Sequence, residues 1–519
     1  MNSRIILVLH SHIPYVKRQG RWPFGEVWLF EAMAETYIPL LRSFLRLHEE
    51  GVKAHVTISL SPTLMEQLNS KYIKKEFIDY LKACEKRAAE DERYFISCGE
   101  KKLAETATSY CRFYKDVRRD FTVDFGNDIL GIIKNMQENG CIEVLATAFT
   151  HAYLPLLDYK SAKAQVFYGK KIYEKFFNTE PRGFWLPECG YRKGLEDILI
   201  ENDFNYFFVD SHAIEGGKPL EVFSGEVLED NPEIETFAIT GLSTYRPYKL
   251  KDKDISVFGR NALVSYQVWS AEFGYPGDEN YREFHKHSPR SGLKYWKVTN
   301  RNKPFDQKEV YNVHKAEKKA KEHAAHFVDV LQNTISEAQK IGFNRPLIVG
   351  CYDTELFGHW WWEGVIWLEE VMRQIDEKEL NMALPSNVEP PRHEAEIFDS
   401  SWGMGGKHFV WYNRETMWMW EIIEKARQEY DVIAEGPGQT ELEYRVKQQA
   451  LKELMLIQSS DWLFMVTNNL TRDYAMKRFF EHYTKFLRLV DSLKNNRLDA
   501  DFIEWFKQIE FEDDLFNSL

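Results

Sequence analysis

The chain lacks the sequence marks of several common protein classes. Its six cysteines are scattered over 519 residues with no Cys-x-x-Cys pair, which argues against a disulfide framework or a zinc ribbon. No apolar run approaches the ~20 residues of a membrane span, and the run before His10 is too short for a signal peptide core. A net charge of −13 without a long Lys/Arg stripe argues against DNA or RNA as a partner. We therefore expect a soluble, cytoplasmic protein with a neutral substrate, no nucleic acid and no membrane as partners.

The composition is that of a globular protein with an excess of aromatic residues. Hydrophobic residues make up 44% and charged residues 28% of the chain, which argues against intrinsic disorder. Length alone suggests about three domains. The aromatic share is 15%, with 15 tryptophans. Aromatic side chains are mostly core residues, but tryptophans beside glycine and polar residues often form flat surfaces that bind ring-shaped ligands.

Short apolar runs alternate with helical patterns, which predicts a parallel sheet with crossover helices. The runs are RIILVLHSHIPY, AHVTISLSPTL, IEVLATAFTH, RGFWLPECGY, FNYFFVDSH and RPLIVGCYDTELFGH. Each ends in polar or ionisable side chains: His10 and His12, Ser61, His151, Glu188, Asp210 and His212, and Asp353 and Glu355. In a (β/α) barrel the reactive groups lie at the carboxyl ends of the strands. Loops are polar for other reasons too, but six such endings favour a barrel with one shared site.

Two segments have helical patterns without strands between them. The first contains KKEFIDYLKACEKRAAEDERYFISC, and the second contains ETMWMWEIIEKARQEY and the helical patterns that follow it. We therefore predict an α/β fold in three parts. The barrel comprises residues 1–65 and 123–400, residues 66–122 form a helical insertion, and residues 401–519 form a C-terminal helical domain.

Glu188 and Asp353 are the carboxylates that this arrangement favours for catalysis. Glu188 follows Pro187, which cannot donate to a sheet ladder and tends to end a strand. Glu188 could equally be a helix N-cap or a surface ion-pair partner. Two carboxylates at one barrel mouth suit glycoside chemistry, in which one attacks the anomeric carbon and the other protonates the leaving oxygen. In a retaining enzyme the two carboxyl groups lie ~5–5.5 Å apart.

The tryptophans after Asp353 favour a sugar as the ligand. Trp360, Trp361 and Trp362 follow this carboxylate directly in the motif YDTELFGHWWW. A cleft that combines tryptophans with a carboxylate is typical of sugar sites, because pyranose faces stack on aromatic rings. The same tryptophans could also pack under a loop.

His10 and His12 leave a metal site open as an alternative. Side chains two residues apart on a strand point to the same side. Metal-dependent hydrolases on barrels use this spacing, and His151, His212 and Asp353 could complete such a site. The other interpretation is that both histidines donate hydrogen bonds to substrate hydroxyls or to a carboxylate. The residues alone favour neither.

Five motifs together resemble glycoside hydrolase family 57, and within it the 1,4-alpha-glucan (glycogen) branching enzymes. They are LHSHIPYV with WPFGEVWLFEA, GCIEVLATAFTHAYLP, GFWLPECGY, CYDTELFGHWWWEG and LIQSSDWLFMV. They stand in the family's order and run from about residue 7 to about residue 466, so the resemblance covers nearly the whole chain. Each motif is weak alone, but the set is highly specific.

The resemblance implies a retaining enzyme on an incomplete TIM-like (β/α)7 barrel. It would act on α-1,4-glucans such as amylose, glycogen and maltooligosaccharides, with no metal and no other cofactor. Glu188 would be the nucleophile and Asp353 the general acid/base. Other positions that match the family, and that we expect to contact glucan or support the carboxylates, are His10, His12, Trp28, Arg260, Trp269, Trp402, Trp411 and Asp461. We add His151 and Trp360 as substrate-binding candidates, because they follow predicted strands.

Residues 213–258 do not match the family clearly. Branching members have a flexible loop in this area that covers the acceptor side. Tyr245 is our candidate for the side chain that closes it, although it could equally pack within the loop. A closed loop would exclude water and favour transfer, whereas an open loop would make the chain a mainly hydrolytic α-amylase. Branching is the favoured function, hydrolysis the alternative, and a metal-dependent barrel hydrolase a remoter one.

Overall fold

The computed structural model describes residues 3–219, 236–270, 274–435 and 440–516. Its strands form one sheet of nine, in the order β8-β1-β2-β3-β4-β5-β7-β6-β9. The strands are β1 (Arg4–Ser11), β2 (Val56–Leu60), β3 (Ile142–Thr147), β4 (Gly183–Trp185), β5 (Tyr206–Val209), β6 (Tyr248–Leu250), β7 (Ser256–Gly259), β8 (Leu347–Asp353) and β9 (Glu394–Ala395).

Helices follow most of these strands and fill the C-terminal region. The α-helices of the described residues are α1 (Glu26–Ala32), α2 (Ile38–Glu49), α3 (Pro62–Asn69), α4 (Lys71–Ser97), α5 (Lys101–Arg119), α6 (Ile129–Glu138), α7 (Tyr159–Phe177), α8 (Leu195–Glu201), α9 (Ser211–Glu215), α10 (Ala262–Trp269), α11 (Val313–Lys340), α12 (Gly364–Glu377), α13 (Met417–Glu435), α14 (Glu441–Ile457), α15 (Ser460–Thr467), α16 (Arg472–Lys494) and α17 (Ala500–Glu512). None of the described helices is long and apolar enough to cross a lipid bilayer.

Seven of the nine strands are parallel and form the curled, incomplete barrel that the sequence predicts. The parallel strands run from β8 to β7, while β6 is antiparallel to β7 and β9 adds a short edge strand. The two ends of this parallel series approach each other beyond β7. There the backbone N–H of Asn261 donates to the carbonyl of Val349 on β8 at 2.7 Å. The predicted (β/α)7 fold class is therefore confirmed.

The strands are buried on both faces, as in a covered parallel sheet. Ile6 and Val8 of β1 pack with Val349 and other residues in one buried cluster. Leu7 and Leu9 of the same strand belong to the second, larger cluster that includes the surrounding helices. This alternation follows from the two-residue period of a strand. It places the site-bearing strand ends on a rigid scaffold.

Helix α11 shows how the crossovers are built. The side chain of Asn312 caps its first turn by accepting a hydrogen bond from the backbone of Lys315. Ala320, Ala324 and Phe327 are buried at helical spacing and form the face that packs on the barrel. The helix leads into β8 and so determines where Asp353 emerges.

The register of β1, β2 and β8 brings polar strand ends together. His10 lies beside Asp353 on one side and beside Ser59 on the other. All three residues lie at the carboxyl ends of their parallel strands, which share one edge of the sheet. The candidate site therefore lies at this edge.

Candidate active site

Glu188 lies in a tight turn directly after β4. Residues Pro187–Cys189 form a single 3-10 turn in which Glu188 itself has a left-handed backbone, with φ 63°. This conformation costs a residue with a Cβ about 1–2 kcal/mol. Such strain is found where the surrounding structure holds a side chain for a function. Here the turn aims the Glu188 carboxylate at Trp402 and Ser460.

Two donors hold the Glu188 carboxylate. The indole nitrogen of Trp402 donates to Oε2 at 2.7 Å, and the hydroxyl of Ser460 donates to Oε1 at 3.4 Å. Burial raises the pKa of Glu188 to about 7, whereas the bonds from Trp402 and Ser460 act in the opposite direction. Because hydrogen bonds to the charged form favour ionisation, this carboxyl is kept within reach of neutral pH.

Asp353 has the opposite environment. Among the described residues, no donor forms a hydrogen bond or an ion pair with its carboxyl group. Burial, followed by the negative charges of Glu355 and Glu188, raises the pKa of Asp353 well above its ordinary value. This environment favours the protonated form of Asp353, which is the form that a general acid requires.

Glu355 is a third carboxylate of the site, and the sequence analysis did not assign it a role. It accepts hydrogen bonds from the hydroxyl of Tyr37 and, at 3.1 Å, from the backbone of His12. Burial raises the pKa of Glu355 to about 7. Its charge is the strongest local influence on Asp353 after burial. The signal available in the sequence was its position two residues after Asp353.

A chain of hydrogen bonds runs from Glu188 into the barrel. His151 Nδ1 lies 2.7 Å from the Ser460 hydroxyl, His151 Nε2 lies 2.8 Å from His10 Nε2, and His10 Nδ1 lies 3.1 Å from Ser59 Oγ. Burial lowers the pKa of both imidazoles well below the ordinary value, so each is neutral and has one donor. When Ser460 donates to an ionised Glu188, every other donor in the chain must also point toward Glu188.

That directional chain has an electrostatic consequence. Its order is Ser59 to His10, His10 to His151, His151 to Ser460, and Ser460 to the carboxylate. Aligned hydrogen bonds polarise one another in a low-dielectric interior. The chain therefore stabilises the charge of Glu188 without placing a full positive charge beside it.

His12 is held by a second set of contacts, in which Asp461 comes from α15. His12 Nε2 donates to the Asp461 carboxylate at 3.0 Å, and His12 Nδ1 lies 2.7 Å from Ser61 Oγ. The His12 ring stacks on that of His151, with 3.9 Å between centroids. Burial opposes ionisation of Asp461, but His12, His151 and the hydrogen bond from Ser459 together outweigh it and lower the pKa of the carboxyl. Asp461 therefore orients His12 from the C-terminal region.

The metal alternative requires five side chains to converge: His10, His12, His151, His212 and Asp353. Instead, His10 and His151 direct Nε2 at each other across a distance typical of a hydrogen bond. His212 Nε2 donates to the carbonyl of Gly406 at 2.8 Å. Over the parts of the chain that the structure describes, no three His, Cys, Asp or Glu side chains are arranged to hold a metal ion. The Nε2 atoms of His10, His151 and His212 and both ring nitrogens of His12 thus contact protein groups, and this arrangement does not favour the metal-hydrolase alternative.

The aromatic candidates differ in exposure. Trp360 is half exposed and stacks on Phe284, with 4.5 Å between ring centroids. Trp28 is partly buried and packs edge-on against Tyr474. Trp269, at the end of α10, is also partly buried. These three can present a ring face or edge to a ligand.

Trp411 and Arg260 are buried, and their contacts are with other side chains of the protein. Trp411 is 1% exposed and stacks on Tyr153 at 4.1 Å. Arg260 is also 1% exposed, forms an ion pair with Asp210 at 3.0 Å, and lies over the ring of Trp402 at 5.4 Å. Arg260 therefore contacts the tryptophan that donates to Glu188.

Tyr245 lies away from these groups. Its carbonyl accepts a hydrogen bond from Leu347, the first residue of β8, and its ring packs edge-on against Phe343. Asp353 is the last residue of the same strand, about 20 Å further along at 3.3 Å per residue. This placement favours the loop-packing interpretation, and we remove Tyr245 from the candidate site. Residues 220–235 of the expected covering loop lie outside the described residues.

Comparisons with known proteins match the whole chain. The family model for glycosyl hydrolase family 57 matches residues 6–398, and the model for the C-terminal part of 1,4-alpha-glucan branching enzymes matches residues 421–519. A 1,4-alpha-glucan branching enzyme of Thermococcus kodakarensis is 38% identical over 99% of this chain and 78% of its own.

Two solved structures are similar over the full length of the chain. One is a branching enzyme from Pyrococcus horikoshii, with 38% identity and a TM-score of 0.90, covering 100% of this chain and 96% of its own. The other is an alpha-amylase from Thermotoga maritima, with 31% identity and a TM-score of 0.84, covering 100% and 98%.

Proposed function

The chain belongs to glycosyl hydrolase family 57, and on this basis we propose that it is a retaining 1,4-alpha-glucan branching enzyme. Its substrates would be amylose, glycogen and maltooligosaccharides. It would cleave an α-1,4 bond and transfer the released chain to a 6-hydroxyl group, forming an α-1,6 branch. The branching-enzyme relatives and the match of the C-terminal model to residues 421–519 support this assignment.

The first half-reaction uses both carboxyl groups. The Glu188 carboxylate attacks the anomeric carbon while Asp353 donates its proton to the glycosidic oxygen. The carbon–oxygen bond to the leaving chain breaks, and a glycosyl ester forms at Glu188. The remaining glucan leaves with the proton from Asp353.

The second half-reaction reverses these roles. Asp353, now ionised, accepts the proton of an acceptor 6-hydroxyl group as its oxygen attacks the anomeric carbon. The bond to Glu188 breaks, and its carboxylate is restored. Two inversions at the same carbon retain the α configuration.

One observation carries the assignment of the two roles. Glu188 receives donors from Trp402 and Ser460, whereas Asp353 receives none from the described residues. The protein environment therefore separates a carboxylate that ionises from a carboxyl group that keeps its proton. This separation is how a glycosidase divides nucleophile from acid.

Hydrolysis remains the second candidate, because the similar Thermotoga maritima protein is named an alpha-amylase. Transfer and hydrolysis share the glycosyl-enzyme and differ in which hydroxyl group reaches it. A twofold preference corresponds to less than about 1 kcal/mol between barriers. The structural difference between the two activities can therefore be small.

Incubation with amylose tests the proposal. Reducing ends and α-1,6 linkages are counted in the same reaction, with Glu188→Ala as the inactive control. A branching enzyme forms α-1,6 linkages in excess of new reducing ends. Reducing ends without any α-1,6 linkage would show that the chain is a hydrolytic amylase.

A further inference from the structure

A cavity of about 630 Å³ lies beside the candidate site, between the first helices of the chain, the α4–α5 pair and a loop around residue 290. None of the residues proposed for catalysis or glucan contact lines it. Its walls are formed by Trp22, Val27, Glu31, Glu35, Tyr80, Arg87, Tyr110, Tyr114, Arg282 and residues 287–294. This volume is within the range of small-molecule sites and suits one or two sugar rings.

Lys294 is the unusual residue of this cavity. Its side chain is buried, with 6% of the residue exposed, yet its ammonium group forms no hydrogen bond or ion pair with any residue that the structure describes. Its close contact is the face of Phe284, at 3.9 Å from the ring centroid. Burial lowers the pKa of Lys294 to about 8. The ammonium group lines the cavity and is not used by protein acceptors among the described residues, so its hydrogen-bond donors are available to a ligand.

Other polar groups of the wall are only partly satisfied. Arg87 donates to the carbonyl of Ser291 at 3.0 Å, but its Nε is buried without a hydrogen-bond partner in the described parts of the chain. The carboxylate of Glu31 lies 3.9 Å from His359 Nδ1. Glu35 is paired with Arg282 at 3.3 Å. The cavity thus offers both donors and acceptors to a ligand.

This mixture favours a neutral polyhydroxyl ligand over an anion. A phosphate or carboxylate group would satisfy Lys294 and Arg87, but it would also meet the carboxylates of Glu31 and Glu35 in the same cavity. Adjacent sugar hydroxyls can accept from an ammonium group and donate to a carboxylate simultaneously. Tyr80, Tyr110 and Tyr114 add the aromatic surface on which sugar rings pack.

We propose that this cavity is a second glucan-binding subsite, in which Lys294 and Glu31 bind the hydroxyls of one or two glucose units. This inference rests on the proposed function, since it assumes that glucan is the substrate.

The cavity is connected to the catalytic groups through the π-helical turn Met33–Tyr37. Glu35 in this turn faces the cavity and lies 3.3 Å from His359 Nδ1. Tyr37, two residues later, donates to Glu355 beside Asp353. A glucan chain bound here would therefore be held next to the reacting centre. π-helical turns of this kind are frequent at functional sites.

Equilibrium dialysis with maltotriose tests the subsite in the Asp353→Asn protein, which prevents turnover. The parent should bind a second maltotriose, and Lys294→Met should weaken binding at that second site by at least about tenfold. Glu31→Gln is the second variant and should weaken the same site. Lys303→Met is the matched control, because Lys303 is an exposed lysine outside the cavity wall.

The outcomes separate this inference from the proposed function. Lys294→Met removes a partly desolvated charge that forms no hydrogen bond or ion pair with the described residues, so its thermal midpoint should not fall, and Glu31→Gln provides a second reading if it does. A single maltotriose in the parent, or a second site unaffected by both variants, would overturn the subsite even if the wild type branches amylose. A second site lost in both variants supports the subsite even if the wild type only hydrolyses amylose. Absence of all maltotriose binding would overturn both.

Discussion

Trp402 binds Glu188 twice. Its indole nitrogen donates to the carboxylate at 2.7 Å, and its backbone N–H donates to the carbonyl of the same glutamate at 3.0 Å. The first bond stabilises the charge of the side chain, and the second holds the left-handed turn that carries it. The guanidinium group of Arg260 lies over the face of the Trp402 ring. The orientation and the ionisation of Glu188 therefore depend on one residue 214 positions away.

Trp402→Phe should raise the pKa of Glu188, because the lost hydrogen bond favours its ionised form. A nucleophile must be ionised, so the acid limb of kcat/KM should move to higher pH. Loss of a hydrogen bond to a charged group corresponds to about a 10- to 100-fold fall in kcat/KM. Initial rates on an activated maltooligosaccharide across pH measure both effects.

Trp367→Phe is the matched control for this change. Trp367 is also buried, but its indole nitrogen has no hydrogen-bond partner among the residues that the structure describes. The acid limb of the kcat/KM profile of Trp367→Phe should therefore coincide with that of the wild type. Equal shifts in the two variants would mean that repacking, rather than the bond to Glu188, moves the profile.

Glu188→Ala should reduce turnover by at least about 10³-fold, because the covalent step is lost. Binding of maltooligosaccharide should survive, since the aromatic walls remain. A fluorinated glycosyl donor should label Glu188 in the wild type, as peptide mass spectrometry can show. Label on a different carboxylate would identify another nucleophile. The control for the turnover measurement is Glu201→Ala, because Glu201 is exposed.

Asp353→Asn should remove the alkaline limb of the bell-shaped pH profile for activated substrates, which need no acid for the leaving group. The wild-type limb reports loss of the Asp353 proton as the pH rises through its raised pKa. An alkaline limb that persists in the variant would count against the acid/base role.

Glu355→Gln should move the alkaline limb to lower pH. The charge of Glu355 raises the pKa of Asp353, so its removal lowers that pKa and the proton is lost earlier. The amide still accepts from Tyr37 and from the backbone of His12. Glu363→Gln is the control, because Glu363 is also buried and is not among the groups that shift the pKa of Asp353. The idea fails if both variants show the same alkaline limb as the wild type.

Ser460→Ala should lower kcat about 3- to 10-fold and move the acid limb to higher pH, because Glu188 loses a donor and the histidine chain loses its last link. Ser460→Thr keeps the hydroxyl and should restore both values. A purely structural role would lower stability or kcat without moving the acid limb. Measurement of kcat and the pH profile in both variants separates these cases.

The main strands could be read from the sequence because they are buried on both faces and therefore appear as continuous apolar runs. All six predicted runs contain a strand of the sheet, from β1 to β8. The strand β7 was not recognised because Ser256–Gly259 has no distinct period; its length is not the reason, since β5 is equally short. Its place in the parallel sheet depends on pairing with β5.

The sequence also determined which residues could react. Glu188 and Asp353 stand directly after strands, and parallel strands bring their carboxyl ends to one edge. Local sequence therefore identified both carboxylates, and the motifs around them pointed to the family. The individual roles of these residues remain predictions.

Only the tertiary structure decided which side chains these residues meet. Ser460 and Asp461 lie 272 and 449 positions from their partners Glu188 and His12, and no local pattern encodes contacts over such separations. The same holds for Tyr245, which looked like a loop residue near the site but lies at the far end of β8. The position of Tyr245 depends on the path that the chain takes back to the barrel, and the local sequence does not encode that path. The burial of a strand can be predicted from the composition of its own few residues. The electrostatic environment of a carboxylate depends instead on groups that are distant in the sequence and come within a few ångströms only when the chain folds.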